Sequence, residues 1–298
     1  DRPCSGAILI NQGGNIRFQA DHHPLVFSGC FSSLSEYCLH LVHLKAYEEA
    51  ASLAAGKVVL DLGCNNGYGS AVLGEACSQL VALDVSPAAI ADAKERFGNR
   101  RIDFRVYDGL NIPFDGQSFD MVASFQVIEH LEDTVPYLTE IARVLRPPGV
   151  ALFTTPNAAI RLDRDMKPWN EFHVREYRAD ELADLLKTVF DSVEIRGLFA
   201  TEELYRIEFE RCQKALRTAR TGDSPRRQSL IEQTRDAIAH LAKVLLPSRV
   251  VEYIRVRRAV TIPELEPAII EKYSTRDFFY CSDNPDEALD LLAICTVT

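Results

Sequence analysis

Val58-Val59-Leu60-Asp61-Leu62-Gly63-Cys64-Asn65-Asn66-Gly67-Tyr68-Gly69-Ser70 is the stretch from which the fold can be read. Its first part is a short apolar run of the kind that forms a strand buried on both faces, and it ends in a carboxylate. Its second part carries Gly63, Gly67 and Gly69 and leads into a helical pattern. Glycine permits positive φ angles and close approach of backbone to a ligand. Ligands of open α/β sheets bind beyond the carboxyl ends of the strands. A second run, Leu80 to Val85, brings Asp84 to the corresponding place, where a carboxylate can accept both hydroxyls of a ribose. A dinucleotide would require G-x-G-x-x-G/A, but Asn65 and Tyr68 stand at the second and third glycine positions. No G-x-x-x-x-G-K-[ST] phosphate loop occurs. Taken singly, a glycine after a strand is most often only a turn, and Asp84 could merely pair with a helix N-terminus.

Working outward, short β-branched runs alternate with amphipathic stretches from about Lys57 to Gly197, the pattern of a parallel sheet covered on both faces. The strands read as KVVLDL, LVALDV, IDFRV, FDMVASF, GVALFTTP, Ser192–Leu198 and Ala288–Val297. A helix begins at Ser86-Pro87, an N-cap followed by a first-turn proline, and runs to Phe97. Further helices are expected over Ser35–Ala55, Ala179–Phe190, Glu202–Ala219 and Gln228–Leu246, with a break at Thr221-Gly222-Asp223-Ser224-Pro225. The expected organisation is an arm and cover helix over 1–56, a core over 57–199, a helical insertion over 200–287 and a last strand over 288–298. The insertion either caps the active site or pairs two subunits as a homodimer, since its apolar positions serve both.

The 298 residues are 47% hydrophobic and 26% charged, enough for a sizeable core. A net charge of -10 without a basic cluster argues against a nucleic-acid partner. The eight cysteines form no C-x-x-C pair, so neither a zinc site nor a disulfide framework is indicated, and a cytoplasmic location is the default expectation. Apolar runs are strand-sized and too short for a membrane span.

Asp61 to Gly69 resembles the first motif of class I S-adenosylmethionine-dependent methyltransferases, with Asn65 where that family usually has glycine. Asparagine is the substitute that best tolerates left-handed backbone. The segment FDGQSFDMVASFQVIEHLED resembles the fourth-strand motif of the ubiquinone and menaquinone type of small-molecule methyltransferase. Together the matches extend over about residues 57 to 199. They imply a doubly wound Rossmann-like α/β sheet of seven strands, mostly parallel with the last strand antiparallel, and a helical insertion before that strand. They further imply S-adenosyl-L-methionine held near Asp61, Gly63, Asn65, Gly67 and Gln126, its ribose on Asp84 beside Val85, and its adenine facing Asp108, Gly109 and Leu110.

Methyl transfer to a hydroxyl needs alignment and a base more than a nucleophile. Glu129 and His130 follow the fourth strand, where the resemblance also admits a purely structural helix start. His173 is the stronger candidate base. It lies in Pro168-Trp169-Asn170-Glu171-Phe172-His173-Val174-Arg175-Glu176-Tyr177, similar to an Asn-Pro-x-His-x-x-Glu-Tyr element of a bacterial subgroup that modifies sugars and lipid-linked glycans. Alternatively, His173 only hydrogen-bonds its own loop. Trp169, Phe172 and Tyr177 could form an apolar platform for a pyranose. Glu129, His130, Asp163, Asp165, Glu171 and His173 offer ligands for a divalent cation, although no spacing fixes a metal site. The expected reaction is O-methylation of a sugar or glycan hydroxyl. A small aromatic, quinone or lipid acceptor is the rival within the class, and a catalytically silent cofactor-binding module the rival outside it.

Overall fold

The computed structural model describes residues 31–98, 100–221 and 265–298. In chain order the helices are α1 (Leu34–Leu53), α2 (Tyr68–Ala76), α3 (Pro87–Phe97), α4 (Thr134–Val144), α5 (Ala158–Arg161), α6 (Ala179–Leu186), α7 (Glu202–Arg220) and α8 (Pro267–Lys272). The strands are β1 (Val58–Leu62), β2 (Gln79–Asp84), β3 (Ile102–Val106), β4 (Phe119–Phe125), β5 (Leu145–Pro156), β6 (Ser192–Ala200), β7 (Phe278–Cys281) and β8 (Asp290–Val297). They form one sheet in the order β3-β2-β1-β4-β5-β8-β6-β7. Strands β1 to β5 are mutually parallel, while β8 enters antiparallel between β5 and β6. The order reverses on either side of β1, and the crevice outside β1 and β4 is where such sheets bind ligands.

The doubly wound α/β expectation holds, with one correction: the described residues form eight strands, not seven. Phe278–Cys281 pairs antiparallel with Gly197–Ala200 at the sheet edge. A strand of four residues with one half-covered face leaves little periodicity to read. The expected helix at Gln228–Leu246 and most of the N-terminal arm lie outside the described residues.

Alternation along β1 decides what each residue meets. Leu60 and Leu62 enter a core with Leu138, Ile141 and Val144 of α4 and Leu182 and Leu186 of α6. Val59 faces the other side, packing with Ala46, Tyr47 and Ala50 of α1 and Leu73 of α2. Complete burial of such aliphatic side chains stabilises by roughly 1.5–3 kcal/mol each. Asp61 shares the parity of Val59 and is therefore delivered, buried, beneath α1 and α2. At α3, Ser86 accepts from the Ala89 amide at 3.2 Å, with Pro87 in the first turn, as the Ser-Pro pair predicts.

Candidate cofactor and acceptor site

The loop after β1 is shaped by positive φ angles at Gly63 (86°), Asn65 (48°) and Gly67 (80°). The amides of Gly63 and Cys64 both donate to the Leu83 carbonyl, at 2.8 and 3.0 Å, tying the loop to the end of β2. A Cβ on Gly63 would overlap Val127, and one on Gly67 would lie 2.8 Å from the Phe104 ring. Gly69 is needed for a different reason, since a Cβ there would fall into the Tyr47 ring where α1 crosses α2. Asn65 adopts the left-handed conformation, and its amide donates to Asp84 Oδ2 at 2.8 Å.

Inside this loop, Ser70 donates to Asp61 Oδ2 at 2.6 Å and the Tyr47 hydroxyl to Oδ1 at 3.4 Å. Burial pushes the Asp61 carboxyl up to about 7 against those two hydrogen bonds. The adjoining cleft, about 560 Å³ of open space, is walled by His43 and Tyr47 of α1, the Gly63–Asn66 loop, and Phe125, Gln126 and Thr154 at the ends of β4 and β5. Gly63, Asn65 and Gln126 are thus brought together. Asp84 and Asp108 stand beyond that lining, at the ends of β2 and β3. Asp84 Oδ1 accepts from the Ser86 amide at 2.8 Å, so both of its oxygens hold backbone at the end of β2. Val85 packs against the main core. Asp108 closes a turn by accepting from the amides of Leu110 and Asn111, both at 2.8 Å, with Gly109 at φ 80°. Partial burial opposes its charge, but these bonds outweigh it and its pKa is lowered.

On the other side of β4 the chain makes a single 3-10 turn, Ile128–His130, over which residues 170–176 fold back. The amides of Val174 and Arg175 donate to the Glu129 carbonyl, at 2.8 and 3.2 Å. His130 Nδ1 lies 2.8 Å from the Phe172 carbonyl, so it carries the proton and leaves a lone pair on Nε2. Its ring stands edge-on to that of His173, with centroids 4.9 Å apart. His173 Nδ1 meets Glu176 Oε1 at 2.7 Å, while the Asn170 amide donates to Nε2 at 2.8 Å. Asn170 is oriented by its own oxygen, which accepts from the Phe172 amide. The network therefore assigns the proton of His173 to Nδ1. Glu176 is held in turn by Arg161, at 2.7 and 2.9 Å, with both side chains buried. Against its own burial, His173 and Arg161 keep the Glu176 carboxyl down at about 2.

Glu129 is fully buried. Thr155 donates to Oε2 at 3.1 Å, whereas Oε1 has no partner, and burial pushes this carboxyl up to about 7. Burial lowers the pKa of His130. Glu129, His130 and His173 offer ligand atoms within 4.8 Å of one another. Of the other cation candidates, Asp163 pairs with Arg220 at 2.5 Å, and Asp165 and Glu171 do not join the cluster.

The expected aromatic platform is corrected in part. Tyr177 is buried in the main core, and the Arg161 guanidinium covers Trp169 at 4.2 Å. Several participants are not given a role by the sequence: Ser70, Thr155, Arg161, Asn170 and Asp290. Asn170, His173 and Glu176 recur at three-residue steps, a signal of shared placement, but the pairing with Arg161 crosses between loop segments and leaves no periodic trace.

Residues 60–153 match a family model described as a methyltransferase domain. A probable S-adenosylmethionine-dependent methyltransferase of Mycolicibacterium smegmatis is 37% identical over 158 residues, which is 53% of this chain and 61% of that protein. Residues 60–153 are thus similar to the methyltransferase domain of S-adenosylmethionine-dependent methyltransferases. A phthiotriol/phenolphthiotriol dimycocerosates methyltransferase of Mycobacterium ulcerans is 28% identical over 177 residues, covering 57% of this chain and 61% of that protein. The chain thus spans less than two thirds of the length of these curated relatives. A solved S-adenosylmethionine-dependent methyltransferase from Thermotoga maritima superposes with a TM-score of 0.51 at 11% identity, covering 88% of this chain and 92% of that one, and shows the shared fold. Among the described residues, no helix is long and apolar enough to cross a membrane.

Proposed function

We propose that the protein transfers the methyl group of S-adenosylmethionine to a hydroxyl of a sugar or glycoconjugate, with His173 as base. The observation that carries this reading is the buried Arg161–Glu176–His173 chain, which leaves the imidazole lone pair on Nε2. An acceptor hydroxyl takes the place of the Asn170 amide at that atom. The sulfonium–methyl bond breaks as the oxygen–methyl bond forms, the hydroxyl proton passes to His173, and S-adenosylhomocysteine departs. Cofactor contacts are assigned to Asp61, Gly63, Asn65, Gly67 and Gln126 at the methionine end, to Asp84 and Val85 at the ribose, and to Asp108, Gly109 and Leu110 at the adenine.

A polar acceptor is supported by the groove beside this cluster. About 1140 Å³ of open space there is lined by Arg164, Lys167, Arg175 and Arg178 among acidic residues, with Glu176 in its wall. A hydroxylated lipid is the second reading, favoured by the Mycobacterium ulcerans relative and its named acceptor.

The cluster also fits a divalent cation. Glu129 Oε1 is a buried, unpartnered oxygen, and each histidine has its Nδ1 bonded to an oxygen acceptor, the arrangement that orients metal-bound imidazoles. Glu129, His130 and His173 would hold the ion, which would supply Lewis-acid polarisation of the acceptor oxygen; with its Nε2 lone pair on the ion, His173 would then be a ligand in place of the base.

The test is methyl release from S-adenosylmethionine over a panel of oligosaccharides and hydroxylated lipids. His173→Ala should leave cofactor affinity within a factor of about two and cut transfer by about two to four orders of magnitude. Undiminished turnover would remove His173 as base.

A further inference from the structure

Gln126 directly follows β4 in a conformation that few side chains adopt, φ 56°, and it is half-buried at the edge of the cleft. Its backbone amide donates to the Thr154 carbonyl at 2.9 Å. Its side-chain Nε2 faces three oxygens: Asp290 Oδ2 at 3.0 Å, Asp290 Oδ1 at 3.2 Å and Thr154 Oγ1 at 3.2 Å. With the amide nitrogen so committed, Oε1 is turned away from β8 and β5. Asp290 is the first residue of β8, buried, and paired in register with Pro156 on one side and Leu198 on the other. That placement is costly for a carboxyl, and burial raises its pKa well above the ordinary range, while the Gln126 amide supplies a donor to both of its oxygens.

β4 lies next to β1 in the sheet, and the chain leads from Gln126 in the cleft wall directly into the Glu129–His130 turn. A donor held by the loop and an acceptor held by the cluster meet there. We infer that Asp290 is a positioning residue for methyl transfer, holding the Gln126 carboxamide so that Oε1 faces the sulfonium methyl of the cofactor. A carbonyl oxygen beside a cationic centre stabilises it electrostatically, and an oxygen that is already oriented has no reorganisation to undergo. This inference rests on the reading of the cleft as the methionine end of the cofactor site.

The consequence is selectivity between two ligands that share everything except the charged methyl group. Calorimetric titration of the full chain with S-adenosylmethionine and, separately, S-adenosylhomocysteine tests it. Asp290→Ala should weaken S-adenosylmethionine about tenfold, as expected for losing the alignment of a hydrogen-bond acceptor on a charged group, and S-adenosylhomocysteine by no more than about twofold. Asp290→Asn, which keeps the side-chain shape and an oxygen acceptor for the Gln126 amide, should stay within about threefold of wild type for both. Gln126→Ala should reproduce the selective loss if Asp290→Ala fails to fold. Equal weakening of both ligands, or of neither, would overturn the inference while leaving the cofactor site standing. A wild-type protein that binds neither ligand would overturn the reading of the cleft and this inference with it.

Discussion

Replacing Asp61 by asparagine should change how the stability of the ligand-free protein depends on pH. In the folded chain burial holds this carboxyl at about 7, against an ordinary value of 3.8. A group whose folded pKa is raised contributes stability that is complete below its unfolded pKa and is lost as pH rises through the folded pKa. Asp61 therefore erodes stability progressively from about pH 4 to about pH 7. At about 1.36 kcal/mol per unit, the whole interval corresponds to about 4 kcal/mol, and the part between pH 5 and pH 7 to about 3 kcal/mol. Asparagine is neutral throughout; its oxygen can still accept from Ser70, and its amide can donate to the Tyr47 hydroxyl. Urea denaturation of both proteins from about pH 5 to about pH 8 isolates this group, because other titrations cancel in the difference. The variant should gain about 3 kcal/mol relative to wild type across that range, while losing affinity for S-adenosylmethionine. Difference curves parallel to within about 0.5 kcal/mol would show that the carboxyl is already ionised at pH 5, and the account of its burial would fail.

Arg161→Ala should cost about 3–5 kcal/mol in urea denaturation at neutral pH by stranding buried Glu176, with Arg161→Ala/Glu176→Gln recovering part of the loss. Because the Glu176 carboxyl is depressed to about 2, its stabilising contribution is present above the ordinary 4.5 and is lost as pH falls through about 2. Gly69→Ala, which drives a methyl group into the Tyr47 ring, should lower stability by about 1–3 kcal/mol in a thermal melt. Gly56→Ala, whose added methyl meets open space, should cost only the left-handed strain of about 1 kcal/mol. Manganese titrated calorimetrically should bind more tightly as pH rises through about 7, where Glu129 ionises, and Glu129→Gln should abolish the binding; an unaltered isotherm would exclude the cluster as a cation site.

Much of the donor side is legible in the sequence because local rules settle it. Alternation along Val58–Leu62 fixes the strand and the buried side of Asp61, and the glycine spacing leaves room for only a few loop shapes. Ser86-Pro87 announces its helix. The contacts that join distant segments, on either side of the site, are harder to read. Asp290 reaches Gln126 only because β8 slots in beside β5, and Tyr47 reaches Asp61 only because α1 lies across β1. Phe278–Cys281 escapes notice as a strand because four residues at a sheet edge carry no pattern that a loop could not share. His173 is visible as chemistry, but its proton assignment depends on Arg161, Glu176 and Asn170, which act through geometry alone.

The position of β8 has a consequence for how the chain reaches this state. It lies between β5 and β6, so β6 and the edge strand β7 have no hydrogen-bonded route to the rest of the sheet until residues 290–297 are in place. During synthesis the parallel half, β1 to β5, can assemble as its residues emerge, whereas β6 must wait for a strand made much later. Pairings so separated in sequence are slow to form, because loop closure precedes any gain from contact. The same strand brings in Asp290, so the donor cleft acquires its last polar anchor in the step that closes the sheet.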